Sequence, residues 1–394
     1  MTSTVQQEKS RQVAEILREL DIDLWLVWVR ETSQVADPAL ELVLDADLVW
    51  ESALMYTKDG TRSAIVGTFD AEGIRPLAVF DEILTYDEGI SSILKSKIQK
   101  LNPSSIAINY SRNNVAADGL TVGMYEILKD YLRDTPYPNR FISSEDVITR
   151  LRGRKTTSEL DRIKMAVEIT EKIFDYAKKF LRVGISELYI YDIFHQQMEK
   201  YDVGNAWSAD HNPAVDAGPN KQFGHSGPTE NLTKEGHLLH FDFGVKYQGY
   251  CSDIQRMFFF GAPSTIPEEI TEAFVTVRDA IKAASEFIKP GLKGYEVDAL
   301  ARDYVLERGY DEYKHALGHQ IGRKAHDGGT LLGPKWERYG DLPEQVIETG
   351  NVFTLELYVT TENYGQVSLE EDILITKTGC QFLSRPQNDL IYIY

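Results

Sequence analysis

The chain has 394 residues, too many for one typical core, so two domains are expected. Its 42% hydrophobic and 26% charged residues are an ordinary globular balance with ample apolar material for a buried core. A formal charge of −19 argues against electrostatic binding to nucleic acid or to an anionic membrane, both polyanions. No run of eighteen or more apolar residues occurs, and the segment MTSTVQQEKSRQ lacks the apolar core of a signal peptide, so a cytoplasmic protein is expected. The two cysteines, Cys251 and Cys380, provide neither a disulfide scaffold nor a CxxC metal site. All eight histidines fall between His195 and His326, which places any chemistry in the second half.

Along the first part, helix and strand signals alternate. EKSRQVAEILREL carries apolar residues at helical spacing and DLWLVWV reads as a strand; ISSILKSKIQKL (helix), SIAINY (strand) and LTVGMYEILKDYL (helix) follow. This is α/β patterning with parallel strands expected, and it contains no Gly-rich phosphate loop. The charged stretch ITRLRGRKTTSELDR sets a boundary near residue 150, giving domains 1–150 and 151–394. Beyond it, Ser158 is the expected N-cap of a helix reaching about Leu181, and Ser186 that of a second. Strands HLLHFDFGV and YCSDIQRMFFF come next, joined at Tyr247-Gln248-Gly249. The same order then recurs: helices over 267–288, with Pro267 in its first turn, and 294–308, then strands near 351–359 and 366–376. Two helix-pair-plus-strand units in tandem imply a pseudo-symmetric α+β domain with a site between its halves.

Five residues in this second part are of metal-ligand type. Asp242 interrupts the apolar LLHFDFGV, and Asp253 lies in the return strand, so a tight turn can bring the two carboxylates together. His319 sits in GHQIG, where glycines let backbone approach a ligand closely. Glu356 lies inside VFTLELYV and Glu370 follows VSL, and a mid-strand glutamate is costly unless its charge is compensated. Taken singly, Asp242 and Asp253 each read as a turn or edge-strand acid and His319 as a satisfied loop residue. Converging, four carboxylates would be neutralised by two divalent ions, and an oxygen-rich set with one imidazole suits Mn, Co, Zn or Fe rather than a cysteine-based zinc site. Two such ions can deprotonate a bridging water and polarise a carbonyl.

The series D-x-G, G-Y-x-S-D-x-x-R, H-x-x-G-H-x-I-G, a strand Glu and E-x-D-I-L-I-T resembles the M24 metallopeptidase family of methionine aminopeptidase, aminopeptidase P, prolidase and creatinase. The likeness spans roughly residues 155–385 and includes every metal position in order. It implies a pita-bread fold for the C-terminal domain. It also implies, for the N-terminal α/β half, the extra domain of the aminopeptidase P, prolidase and creatinase branch, which methionine aminopeptidases generally lack. By motif, Asp242 would chelate one metal, Asp253 and Glu370 would bridge both, and His319 with Glu356 would complete the second site, manganese being the first choice of ion. Glu356 would also exchange a proton with the nucleophilic water. His225, in VDAGPNKQFGHSGP, resembles the histidine facing the scissile bond; His326, in RKAHDGG, the one stabilising the tetrahedral intermediate; and His315 precedes the metal histidine by four residues. Trp207, Phe223 and Tyr358 are candidate pocket walls, and Arg256 a candidate partner of the ligand shell. The resemblance also implies a homodimer.

The chain departs from the branch at two places. Ser368 stands where Xaa-Pro peptidases usually carry Arg, two residues before the final metal Glu, and Leu357-Tyr358 replaces Pro-Gly after the strand Glu. The expectation is a hydrolase cleaving the peptide bond before proline in small peptides. The alternatives are a metal-dependent amidohydrolase of a small non-peptide substrate, of creatinase or ectoine-hydrolase type, and an inactive binding protein on the same fold.

Overall fold

The computed structural model describes residues 4–219 and 227–394, and the chain divides after Arg152 into two compact units. In the N-terminal unit, DLWLVWV forms β1 (Leu24–Val29). Trp25, Val27 and Val29 join one apolar cluster and Leu24, Leu26 and Trp28 the other, which is why this strand reads as an unbroken apolar run. It is followed by β2 (Ser52–Thr57), β3 (Arg62–Gly67), β4 (Glu82–Tyr86), β5 (Ile106–Ile108) and β6 (Phe141–Ser143), in the sheet order β4-β3-β2-β1-β5-β6. The helices are α1 (Val5–Glu19), α2 (Leu40–Val43), α3 (Thr68–Ile74), α4 (Ser91–Leu101), α5 (Val122–Leu132) and α6 (Glu145–Gly153).

The sheet is mixed rather than parallel throughout. β1 runs parallel to β5, but β1–β2 and β2–β3 are antiparallel. The reason is local: Asp59-Gly60 turns the chain straight back between β2 and β3, with Gly60 at φ 98° and the Asp59 carboxylate accepting from Thr61 N at 3.0 Å.

The C-terminal unit carries α7 (Thr157–Ala177), α8 (Glu187–Tyr201), α9 (Glu268–Phe287) and α10 (Gly294–Glu307). α7 is capped by Thr156 rather than Ser158, because Thr156 and Glu159 form a reciprocal capping box: Thr156 N donates to Glu159 Oε2 at 2.7 Å and Glu159 N to the Thr156 hydroxyl at 3.4 Å. α8 is capped by Ser186 as expected, and Pro267 is the N-cap of α9, one position before the helix. α9 buries Ile270, Ala273, Phe274, Val277, Ala280, Ile281 and Ala284, an i, i+3, i+4 stripe.

The strands are β7 (Gly204–Asn205), β8 (Ala214–Ala217), β9 (Leu238–Phe243), β10 (Val245–Tyr247), β11 (Tyr250–Cys251), β12 (Ile254–Phe260), β13 (Val352–Thr360), β14 (Gln366–Ile375), β15 (Cys380–Phe382) and β16 (Ile391–Ile393). Gln248 (φ 45°) and Gly249 (φ 83°) make the tight turn between β10 and β11. The main sheet has the order β13-β14-β12-β9-β8, with β15 on β14 and β16 on β12. α7 packs on β10 and β11, and α9 on β13 and β14, so each helix pair backs its own strands. This is the pita-bread fold. β9 shows how the site is oriented: Phe241 and Phe243 point into an aromatic cluster with Phe174 and Phe194, whereas His240 and Asp242 alternate to the opposite face. No helix of the described residues is long and apolar enough to cross a membrane.

Candidate metal centre

The strand register assembles the site. Glu356 pairs with Glu370, Glu370 with Gln255, Gln255 with Asp242, and Asp242 with Ala214, a single row across β13, β14, β12, β9 and β8. Residues paired across neighbouring strands share a face, so three carboxylates and one carboxamide line up on one side. Asp253 sits in the break just before β12, where the charge of Asp242 acts on it.

His319 arrives from a loop that lies against β13. Thr354 N donates to His319 O at 3.0 Å, and Glu356 N donates to Leu317 O at 2.7 Å. A Cβ on Gly318 would stand 2.0 Å from Thr354 O, so only glycine lets the loop come this close. His319 Nδ1 faces Gln320 O at 3.4 Å, which turns Nε2 toward the acids, 3.6 Å from Glu356 Oε1 and 3.8 Å from Asp253 Oδ2. Ligand-type atoms of Asp253, His319 and Glu370 all lie within 4.8 Å of one another.

A cavity of about 330 Å³ opens over this row, and Asp242, Asp253, His319, Glu356 and Glu370 all line it. Burial, then the charges of Asp242, Asp372 and Glu356, hold the Asp253 carboxyl well above the usual carboxylate range. Glu370 is raised likewise by burial, then by Asp253, Glu356 and Asp242. Burial and then Asp242 push Glu356 up to about 8. Burial, then His326, holds the His319 imidazole well below its ordinary value, leaving a neutral ring with a lone pair to offer. Glu370 Oε1 is buried with no hydrogen-bond partner. Carboxylates crowded in this way cannot all ionise without cations, and the oxygen-rich set with one imidazole fits divalent ions.

The other expected residues fall as follows. His326 lines the cavity with its ring 4.2 Å from that of His319. His315 also lines it, its Nδ1 2.7 Å from Ala316 O and its ring 5.3 Å from Tyr358. Trp207 and Tyr358 form parts of the wall. His225 and Phe223 lie outside the described residues. Arg256 grips Glu371 in a bidentate pair (3.0 and 3.1 Å) and donates to Glu370 O at 3.1 Å, so it braces β14 through the backbone at Glu370 rather than touching the Glu370 carboxylate.

Among the lining residues not singled out from the sequence are Gln255, His240 and Asp216. The signal was available in the period-2 alternation. Gln255 follows Asp253 by two, and His240 precedes Asp242 by two, which puts them on the same face as the acids.

Comparison with known proteins places the chain among peptidases. The model of metallopeptidase family M24 matches residues 161–377. An uncharacterised peptidase of Staphylococcus aureus is 28% identical over 335 residues, 84% of this chain and 87% of its own. The Xaa-Pro dipeptidase of Bacillus anthracis superposes with a TM-score of 0.74 at 26% identity, covering 98% of this chain and 100% of that one. The prolidase of Pyrococcus horikoshii OT3 gives 0.69 at 25%, covering 98% and 100%. With more than half its length matched by the family model and the acids of its second half gathered round one cavity, the chain belongs to metallopeptidase family M24.

Proposed function

We propose that this metallopeptidase is a dinuclear hydrolase of the Xaa-Pro type, cleaving the peptide bond that precedes proline in small peptides. The observation that carries the reading is the convergence of Asp242, Asp253, His319, Glu356 and Glu370 on one cavity. Two divalent cations, when bound, would supply an acidified water and polarise the scissile carbonyl. Asp242 would hold one ion, Asp253 and Glu370 would bridge the pair, and His319 with Glu356 would complete the second position. Glu356, raised to about 8 by burial and Asp242, is suited to take and return a proton near neutrality. His326, which lines the cavity beside His319, would stabilise negative charge developing on the carbonyl oxygen, and His225 is assigned to the leaving amine. The similarity to a named Xaa-Pro dipeptidase and a prolidase supports the substrate class.

The match of these solved chains over nearly the whole length supports reading the N-terminal unit as the creatinase/prolidase-like domain. Manganese as the working metal, with cobalt, zinc or iron as substitutes, and a homodimer are carried by the family resemblance.

A second reading, a metal-dependent hydrolase of a small non-peptide amide, is favoured by Ser368 and by the polar wall formed with Asp216, His240 and Gln255. The experiment is a panel of Xaa-Pro dipeptides, longer X-Pro-Y peptides and small cyclic or guanidino amides, assayed with protein loaded with Mn, Co or Zn. Turnover of the proline peptides is expected. Turnover of the small amides alone would move the assignment to the second reading, and turnover of none, with no metal retained, would overturn both.

A further inference from the structure

We propose that Gln255 is a positioning residue for Glu356 and Glu370, and that Asp216, His240 and Ser368 set its orientation. This rests on reading the site as a metal centre. Gln255 stands in the cross-strand row between Glu370 and Asp242, where it contributes an uncharged amide among acids.

The hydrogen bonds leave that amide one orientation. Its Nε2 donates to Glu370 Oε2 at 2.9 Å and to Glu356 Oε2 at 3.2 Å. Its Oε1 accepts from the Ser368 hydroxyl at 2.6 Å and lies 2.9 Å from His240 Nε2. Both N–H groups and both carbonyl lone pairs are therefore used. Flipping the amide would set its oxygen against two carboxylate oxygens. His240 is itself fixed from behind, since its Nδ1 lies 3.0 Å from Asp216 Oδ2. Asp216, His240, Gln255 and Ser368 are all buried, and a fully connected buried network of this kind specifies one arrangement.

The consequence falls on the acids. With both Oε2 atoms tied to the same amide, the Oε1 atoms are the ones presented to the cluster. Glu356 Oε1 lies 3.6 Å from His319 Nε2, and Glu370 Oε1 has no hydrogen-bond partner. Gln255 thus selects the oxygen that each carboxylate offers a cation, and a donor shared between two like-charged groups also lowers their mutual repulsion.

The test uses cobalt(II) as the probe. Full-length wild type, Gln255→Met and His240→Phe are stripped of metal and titrated with Co²⁺ by calorimetry and by visible absorption, with Xaa-Pro turnover and melting temperature recorded alongside. Gln255→Met conserves the volume and deletes the donors. It is expected to fold, to weaken cobalt affinity by about 10–100-fold, as loss of partners beyond the ligands themselves does, to alter the cobalt absorption bands, and to lower kcat more than it raises KM. His240→Phe leaves Gln255 and both acids in place and is expected to shift affinity and spectrum in the same direction by a smaller factor. In the double variant the effects are expected to be less than multiplicative. A folded Gln255→Met with wild-type affinity and spectrum overturns the positioning role and leaves the metal centre standing. Should Gln255→Met fail to fold, an unchanged His240→Phe has the same force. Wild type that binds no cobalt overturns the metal reading and the positioning role together.

Discussion

Glu356 and Glu370 are direct cross-strand partners on β13 and β14. Glu370 is buried, while Glu356 keeps 19% of its side chain exposed where it lines the cavity. Like charges placed opposite each other destabilise a strand pair, and Asp242 extends the same row two strands further. An arrangement this unfavourable for the bare carboxyls makes the protein's stability responsive to both protons and cations.

The first expectation concerns pH. Burial and neighbouring acids raise Glu356 to about 8 and hold Asp253 and Glu370 well above the usual range. In the unfolded chain such groups ionise near pH 4. Between that point and the raised native values, the native state keeps protons that the unfolded state has released, so stability falls as pH rises. Chelator-treated protein should lose on the order of 5 °C in melting temperature between about pH 5 and pH 8. Saturating Mn²⁺ should flatten or reverse that slope. Scanning calorimetry at several pH values checks both, and a flat profile without metal would contradict the crowding.

Asp253→Ala removes a proposed ligand and one of the crowded acids at once. Activity should fall by more than the ~10–100-fold that loss of an outer partner costs, here on the order of 10³-fold. The melting temperature of the metal-free variant at about pH 8 should rise, because an uncompensated buried charge is gone. Kinetics and thermal melts on one preparation test the two halves separately.

His326→Ala should retain full metal content, because the residue is assigned to charge on the substrate and not to the ions. Its kcat should drop on the order of 10²-fold. Elemental analysis showing lost metal would reassign His326 to the ligand shell.

Phe241→Ala tests the support beneath the row. Phe241 is fully buried, with ring centroids 5.0 Å from Phe194 and 5.2 Å from Phe258. Truncation should cost about 3–5 kcal/mol and lower the melting temperature by on the order of 10 °C, with activity falling because Asp242 is the next residue on β9. Denaturant titration with unchanged stability would contradict the packing.

The sequence made the acids legible because each interrupts an apolar strand: Asp242 in LLHFDF and Glu356 in VFTLELYV stand out against their neighbours. Gln255, His240 and Asp216 were harder to see. A glutamine or histidine in a strand matches no ligand motif; alternation puts Gln255 and His240 on the face of the acids, and the register that pairs β12 with both β9 and β14 shows that this face meets the cavity. The antiparallel pairs β1–β2 and β2–β3 of the N-terminal sheet are hidden from the sequence for a related reason. Apolar runs such as LWLVWV report burial on both faces, and the direction of the next strand is set by the short Asp59-Gly60 connection. The start of α7 turned on three consecutive hydroxyl-bearing residues, Thr156, Thr157 and Ser158, of which Thr156 alone has a glutamate three residues on to close the box.

The most direct test of the central claim is the manganese content of the chain after equilibrium dialysis, read by elemental analysis beside Xaa-Pro turnover. The expected result is two ions per chain in wild type, a loss of bound metal in Asp253→Ala and Glu370→Ala, and activity that disappears with the ions and returns on their restoration. Wild type that retains no manganese, cobalt or zinc, or turnover that survives complete removal of metal, would contradict it.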